Sequence, residues 1–241
     1  MEHLTELDRR DALVRFAGVV AHELNNIFTA VNGNISLLAI SHEAGNLREE
    51  ITNDLLSATR HGIELAEKLQ AFAGRQRLSR CYVDIVEVTS CTIRELRSSS
   101  LRDIDIQIAF GEYGCVTLTD RDKLHHVIRE LVQNAAEATT DDRSLMIAAG
   151  RCTLTEASNS SLPEGEYVFL SVQDNGRGMT HDVARRAFDP LFSTKGGRHG
   201  WGLACGAGFV RQCGGDIVLK SVRDVGTTVT VYLPLSKPSA P

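Results

Sequence analysis

The sequence predicts an α+β protein. An antiparallel helical hairpin pairs with a second copy into a dimeric four-helix bundle, and an α/β sandwich with a mixed sheet follows it. Three observations carry this expectation. Leu4 to Ser41 holds no proline and bears a heptad-like apolar stripe. A second such stripe begins after a short break at His42–Asn46. Beyond about residue 75 the pattern changes to alternating segments among glycine-rich turns, without strict strand–helix alternation. With 241 residues, 42% of them hydrophobic, the chain can bury a substantial core without disulfides or metal staples.

The elements follow in order. In the first helix Leu13, Ala17, Val20, Leu24, Ile27, Val31, Ile35 and Leu38 recur at steps of three and four. In the second, Leu47, Ile51, Leu55, Ala58, Gly62, Leu65, Leu69 and Phe72 do the same. A short connection between two such helices makes them antiparallel neighbours. One hairpin cannot cover both stripes, so a homodimer is expected. Ile104–Ile108 alternates as a half-buried strand does, and Gly114–Leu118 is expected as its hairpin partner. Asp120 is placed to cap a helix running to Thr139. Leu145–Leu154 and Tyr167–Gln173 read as strands, Thr155–Gly165 as a loop, and Gly202–Cys213 as a helix. Ile217–Val222 and Thr227–Leu233 close the chain as strands before the tail Ser236–Pro241. Two domains are expected, 1–75 and 76–241.

Composition excludes several classes of function. Lys+Arg total 26 against 31 Asp+Glu, a net charge of −5, which argues against a general nucleic-acid binder. Aromatic residues are only 5%, too few for a base-stacking platform. No run approaches the roughly 18 apolar residues of a membrane span, and the first residues lack the basic-then-apolar order of a signal peptide. The six cysteines are scattered with no C-x-x-C pair, so they are expected to be reduced thiols of a cytoplasmic protein.

His22-Glu23-Leu24-Asn25-Asn26 lies mid-helix. His22 is two residues from both Val20 and Leu24, about 200° around the helix from each, so its imidazole is expected to face solvent. Asn26 lies one turn on, on the same face. A histidine at position 26 would complete the H-E-x-x-H zinc motif, and asparagine stands there instead. The stretch Gly18–Asn26 resembles the phosphoacceptor box of the two-component sensor histidine kinases. That resemblance implies that His22 attacks the γ-phosphate of ATP, that Glu23 acts as general base, and that Asn26 positions water for a phosphatase reaction. The chemistry is consistent, since neutral imidazole is available near neutral pH and an adjacent carboxylate can take the other ring proton.

Further motifs follow in the order of one nucleotide site. Glu130–Ala138 places Glu130 and Asn134 one turn apart and resembles the family's asparagine box, which implies that Asn134, with Glu130, holds Mg²⁺ against the phosphates. Asp174-Asn175-Gly176-Arg177-Gly178-Met179 resembles the first glycine box, whose aspartate accepts a hydrogen bond from the adenine amino group; Gly176 and Gly178 permit a tight turn. Phe188–Lys195 resembles the base of an ATP lid running to about Gly200, with Gly196-Gly197 for mobility. Lys195 and Arg177 are candidate phosphate contacts. Gly200-Trp201-Gly202-Leu203 opens the next helix as a phosphate-binding turn and resembles the second glycine box, with His199 and Trp201 departing from the family pattern. Gly226-Thr227-Thr228 resembles the final Gly-Thr box, with Thr228 as the candidate contact.

The resemblance covers about residues 10–235 and implies a Bergerat-type ATP-binding domain behind a phosphoacceptor hairpin. It implies autophosphorylation of His22 from Mg-ATP, transfer to an aspartate of a response-regulator receiver domain, and phosphatase action on that partner. Two alternatives stay open. One is a phosphotransfer or phosphatase scaffold with impaired ATP binding, on the strength of His199 and Trp201. The other is a non-kinase ATPase of the same superfamily working through Glu130. The length leaves no room for a sensor module, so the chain is expected to be either the core of a longer kinase or a protein served by a separate sensor or input partner.

Overall fold

The computed structural model describes residues 6–40, 46–99, 101–111, 114–139, 144–155, 162–195 and 200–236. The hairpin break before Asn46, the lid residues Gly196, Gly197 and His199, and the tail from Lys237 lie outside the described residues, as does the middle of the loop after residue 155.

Two long helices form the N-terminal hairpin, α1 (Glu6–Ile40) and α2 (Asn46–Phe72). They run antiparallel, with the rings of Phe16 and Phe72 5.3 Å apart and Gly62 set against Ile27. Ile27, Ile51 and Leu65 are buried, and Leu24, Val31 and Leu69 pack beside Ile27 and Leu65. This seam uses one side of each helix. Phe28, Ile35, Leu37, Leu56 and Ile63 remain exposed on the hairpin, Phe28 at 58% and Ile63 at 55%.

The rest of the chain comprises β1 (Arg80–Asp84), α3 (Ile85–Arg97), β2 (Asp105–Phe110), β3 (Val116–Asp120), α4 (Arg121–Ala138) and β4 (Ser144–Leu154). β5 (Gly165–Asp174), α5 (His181–Arg186), α6 (Gly202–Gln212), β6 (Asp216–Val222) and β7 (Gly226–Pro234) complete it. Five strands form a mixed sheet in the order β2-β4-β5-β7-β6, parallel only between β2 and β4. Strand alternation sends Leu145, Ile147 and Ala149 inward with Val168, Leu170, Val231 and Leu233, while Met146 points out. α3, α4 and α6 cover that inner face with Val88, Leu96, Leu124, Ile128, Val132 and Phe209. The result is the two-layer α/β sandwich expected of the sequence. Among the described residues no helix is long and apolar enough to cross a membrane, and none of the six cysteines is joined in a disulfide.

One pairing differs from expectation. The segment after Gly114 is not the hairpin partner of Ile104–Ile108. β2 pairs in parallel with β4, Ile106 opposite Leu145. β3 pairs with β1 in a separate two-stranded sheet, Leu118 opposite Tyr82. A two-residue period identifies a strand but not its partner. Here α4 supplies the long crossover that a parallel pair requires, and the carbonyl of Cys115 is taken by the amide of Ile85 at 3.0 Å, tying β3 to the start of α3. β1 and α3 were themselves not foreseen. Their signal is Asp84 followed three residues later by Glu87: Asp84 Oδ1 accepts from the amide of Val86 at 2.9 Å and caps α3.

The hairpin rests on the sandwich through α2 and α6. Gly208 of α6 lies directly against the Ala71 carbonyl, where any side chain would collide. Gln212 exchanges two hydrogen bonds with the backbone of Gln76, at 2.7 and 3.3 Å.

Candidate functional site

The helix geometry places His22 and Asn26 on the exposed face of α1, one turn apart, while Leu24 and Ile27 turn toward α2. Glu23 lies between these faces, its side chain 24% exposed, with His61 Nε2 of α2 3.6 Å from its Oε2. No described residue at this face makes a zinc-type cluster.

The second group of predicted residues converges on a cleft of about 440 Å³ in the sandwich domain. α4 contributes Glu130 and Asn134 from successive turns, both half-buried and both lining it. Two oxygen-bearing side chains one turn apart suit Mg²⁺, a hard ion that is ordinarily held by one or two protein groups together with phosphate oxygens and water. Asp174, at the end of β5, is buried at 6% exposure. Its Oδ1 accepts from the amides of Gly176 at 2.9 Å and Thr227 at 3.3 Å; Asp174 and Gly176 stand behind the cleft wall, next to the lining residues Thr227, Arg177 and Gly178. Burial pushes the Asp174 carboxyl above its ordinary range, with the two amides and the nearby Lys195 opposing it.

The glycines are required by close approach. Gly178 has φ +57° and sits beneath the Val222 carbonyl, and Gly176 sits against the carbonyl of Ala138. This folds the Asp174–Met179 segment onto the end of α4 and under the β6–β7 turn, where the amide of Asp224 donates to the Arg177 carbonyl at 2.8 Å. Gly202 begins α6 with no side-chain cap, and a Cβ there would strike the Glu130 carboxylate. Gly200, Gly202 and Leu203 line the cleft, so the uncapped amides of the α6 N-terminus open toward it.

The lid segment descends past Phe192, whose ring lies 4.1 Å from the Arg186 guanidinium. Lys195 lines the cleft, and its Nζ is 2.6 Å from Glu137 Oε2 on α4. Trp201 does not enter the cleft. It is buried on the opposite side, against the hairpin, edge-on to Phe16 with ring centroids 6.4 Å apart and within one apolar cluster with Ile27 and Leu65. Its bulk therefore leaves the nucleotide side of the glycine turn clear.

One candidate is displaced by a single position. Thr227 is buried opposite Asp174 and lines the cleft; Thr228 pairs with Gln173 and so belongs to the other face of the sheet. Strand alternation from the buried Val231 and Leu233 would have selected Thr227. Arg223 and Asp224 also line the cleft; nothing in the sequence alone brings that turn beside Gly178. Glu137 as the partner of Lys195 was likewise unforeseen.

Residues 119–237 match the family described as histidine kinase-, DNA gyrase B-, and HSP90-like ATPase. Sensor kinase CckA of Brucella abortus (strain 2308) is 29% identical over 237 residues, covering 96% of this chain and 25% of that protein. The sensory histidine kinase/phosphatase NtrB of Rhizobium leguminosarum bv. phaseoli is 28% identical, covering 97% of this chain and 61% of that protein. The chain thus spans less than two thirds of these relatives. Among solved structures, the Acinetobacter baumannii histidine kinase AdeS superposes with a TM-score of 0.55 at 14% identity, over 90% of this chain and 98% of that one. Full-length ShkA in complex with AMPPNP gives 0.58 at 20% identity, over 94% and 46%. At these identities the likeness is one of fold.

Proposed function

We propose that this chain is the catalytic core of a two-component histidine kinase, a reading that its match over residues 119–237 and its relatives support, and that it phosphorylates itself on His22 from Mg-ATP and passes the phosphoryl group to an aspartate of a response-regulator receiver domain. The observation that carries this reading is the pairing, in one chain, of the exposed His22–Glu23–Asn26 face with a cleft that gathers Glu130, Asn134, Lys195 and the glycine turns beside Asp174.

In this reading residues 1–75 dimerise and present the acceptor, and residues 76–241 bind ATP. Asp174 accepts from the adenine amino group, a match that disfavours bases presenting an acceptor there. The amide of Thr227 braces Asp174 from β7, and Thr227 rather than Thr228 is the residue of this box that lines the cleft. The amides at Gly202 and Leu203 face the phosphates, and Lys195 meets them after leaving Glu137. Glu130 and Asn134 hold the metal, which when bound neutralises charge on the phosphate oxygens. An imidazole nitrogen of His22 attacks the γ-phosphorus as the bond to the β–γ bridging oxygen breaks. ADP leaves, and Glu23 takes the proton from the other ring nitrogen. Asn26, one turn on, positions water for the reverse service to the partner, dephosphorylation of its aspartate. A separate sensor or input partner would act on α1.

Incubation with Mg²⁺ and γ-labelled ATP tests this. Acid-labile label on the wild-type chain, absent from His22→Ala, is the expected result. Phosphate release that His22→Ala leaves unchanged would instead support the ATPase working through Glu130. The reading as a scaffold with impaired ATP binding loses one of its two grounds, because Trp201 faces the hairpin rather than the cleft.

A further inference from the structure

We propose that His61 of α2 is a positioning residue for Glu23, and through it for phosphoryl transfer to His22. This rests on the reading of Glu23 as the base. The placement begins with Gly62. Gly62 faces α1, with Ile27 Cγ2 3.6 Å from where a Cβ would stand, an ordinary contact distance. One residue earlier on α2, His61 Nε2 lies 3.6 Å from Glu23 Oε2. Glu23 is the more buried of the two, 24% exposed against 50%, so the imidazole covers the carboxylate from the solvent side.

The charged neighbours narrow the possibilities. On its own helix Glu23 adjoins His22, and across the groove it faces His61. On α2 the nearest carboxylate to His61 in sequence on its own face is Glu64, which turns to Lys68 at 3.8 Å. His61 thus faces Glu23, whose neighbour along α1 is His22. The spacing of 3.6 Å is slightly beyond a hydrogen bond, and a small rotation of either side chain closes it.

A ring N–H directed at one carboxylate oxygen fixes the plane of the carboxylate and leaves the second oxygen for the N–H of His22. This is a nucleophile, its base and an orienting third group.

The test uses the full chain, γ-labelled Mg-ATP, and the variants His61→Ala, His61→Gln, Glu23→Gln and the double variant His61→Ala with Glu23→Gln. His61→Ala should lower the kcat for labelling several-fold, the scale of one hydrogen bond, with KM for ATP unchanged. His61→Gln keeps an N–H donor and should recover most of the rate. The double variant should be no slower than Glu23→Gln. Unchanged kcat in both His61 variants would overturn the proposal. So would a parallel change of kcat and KM in both, the mark of a structural role. If Glu23→Gln labels at the wild-type rate, the reading of Glu23 as base fails and takes this proposal with it. If Glu23→Gln is slow while the His61 variants are not, this proposal alone fails. A wild-type chain that takes no label overturns both.

Discussion

At the scale of the residue, Asp174 carries a cost in stability, and in the proposed reading it is also required for binding ATP. Its Oδ1 is committed to two backbone amides, and burial disfavours its charged form. Asp174→Asn preserves the two amide bonds through its remaining oxygen but presents an NH₂ where the adenine amino group needs an acceptor. ATP affinity should fall by about five- to 150-fold, since a buried donor left facing a donor costs roughly 1–3 kcal/mol; isothermal titration checks this. The same variant should melt no lower than the wild type at neutral pH. The sign follows from linkage. The folded-state carboxyl titrates above the unfolded one, so the wild-type penalty is full above the folded value and disappears as pH falls below the unfolded value. The stability gap between the two proteins should therefore close on acidification, as thermal unfolding across pH would reveal. Lys195 leads to a second expectation. Its bond to Glu137 competes with its use at a phosphate, and exposed pairs of this kind are worth about 0.2–1 kcal/mol. Glu137→Gln should tighten ATP binding by a few-fold at most, and Lys195→Ala should weaken it. At this scale much of the cleft was legible in the sequence, because chemistry tied to a helical turn or a glycine bend is a local property: Glu130 and Asn134 share a face by spacing alone. The partnership of Lys195 with Glu137 was not legible, because it joins a lid to a helix fifty-eight residues away.

At the scale of the element, Trp201 shows what a motif read in one dimension leaves out. In sequence it stands between Gly200 and Gly202, where bulk beside a nucleotide looks unfavourable. In the fold, the turn into α6 has two sides, and the ring takes the side that meets Phe16, Phe72 and Leu65. The glycines keep the cleft side. Trp201→Ala should consequently leave ATP affinity nearly unchanged while loosening the hairpin from the sandwich. Truncating a buried aromatic ring costs about 3–5 kcal/mol, so hydrogen exchange should rise selectively across α2 and α6. The same distinction explains β2 and β3. Their residues alternate as strands do, yet partner choice depends on α4 as the crossover and on the Cys115–Ile85 backbone bond. Periodicity is a property of a segment, and pairing is a property of the whole sheet. α3 escaped for a different reason: Ile85, Val88, Ile93 and Leu96 recur at helical spacing, but the buried positions between them are Thr89 and Thr92, which interrupt the apolar stripe.

At the scale of the molecule, the hairpin presents a face that its own chain does not cover. Phe28 and Ile35 are exposed on α1 and lie one heptad apart; Leu56 and Ile63 are exposed on α2 with the same separation. Because Phe16 meets Phe72 and Ile27 meets Gly62, the antiparallel register puts Phe28 within one turn of Ile63 and Ile35 within one turn of Leu56. The four side chains form two apolar layers at the spacing that knobs-into-holes packing uses. A second copy offers the same two layers in reverse order under two-fold symmetry, so each layer closes without any new complementary surface. Contiguous apolar area of this kind on a folded chain marks an interaction site. Charge placed in both layers should therefore separate the copies. Phe28→Glu combined with Leu56→Glu is expected to sediment as a monomer, with helix content and ATP affinity retained, because neither position touches the cleft. A dimer that persists in this variant would place the contact between copies on another surface of the chain.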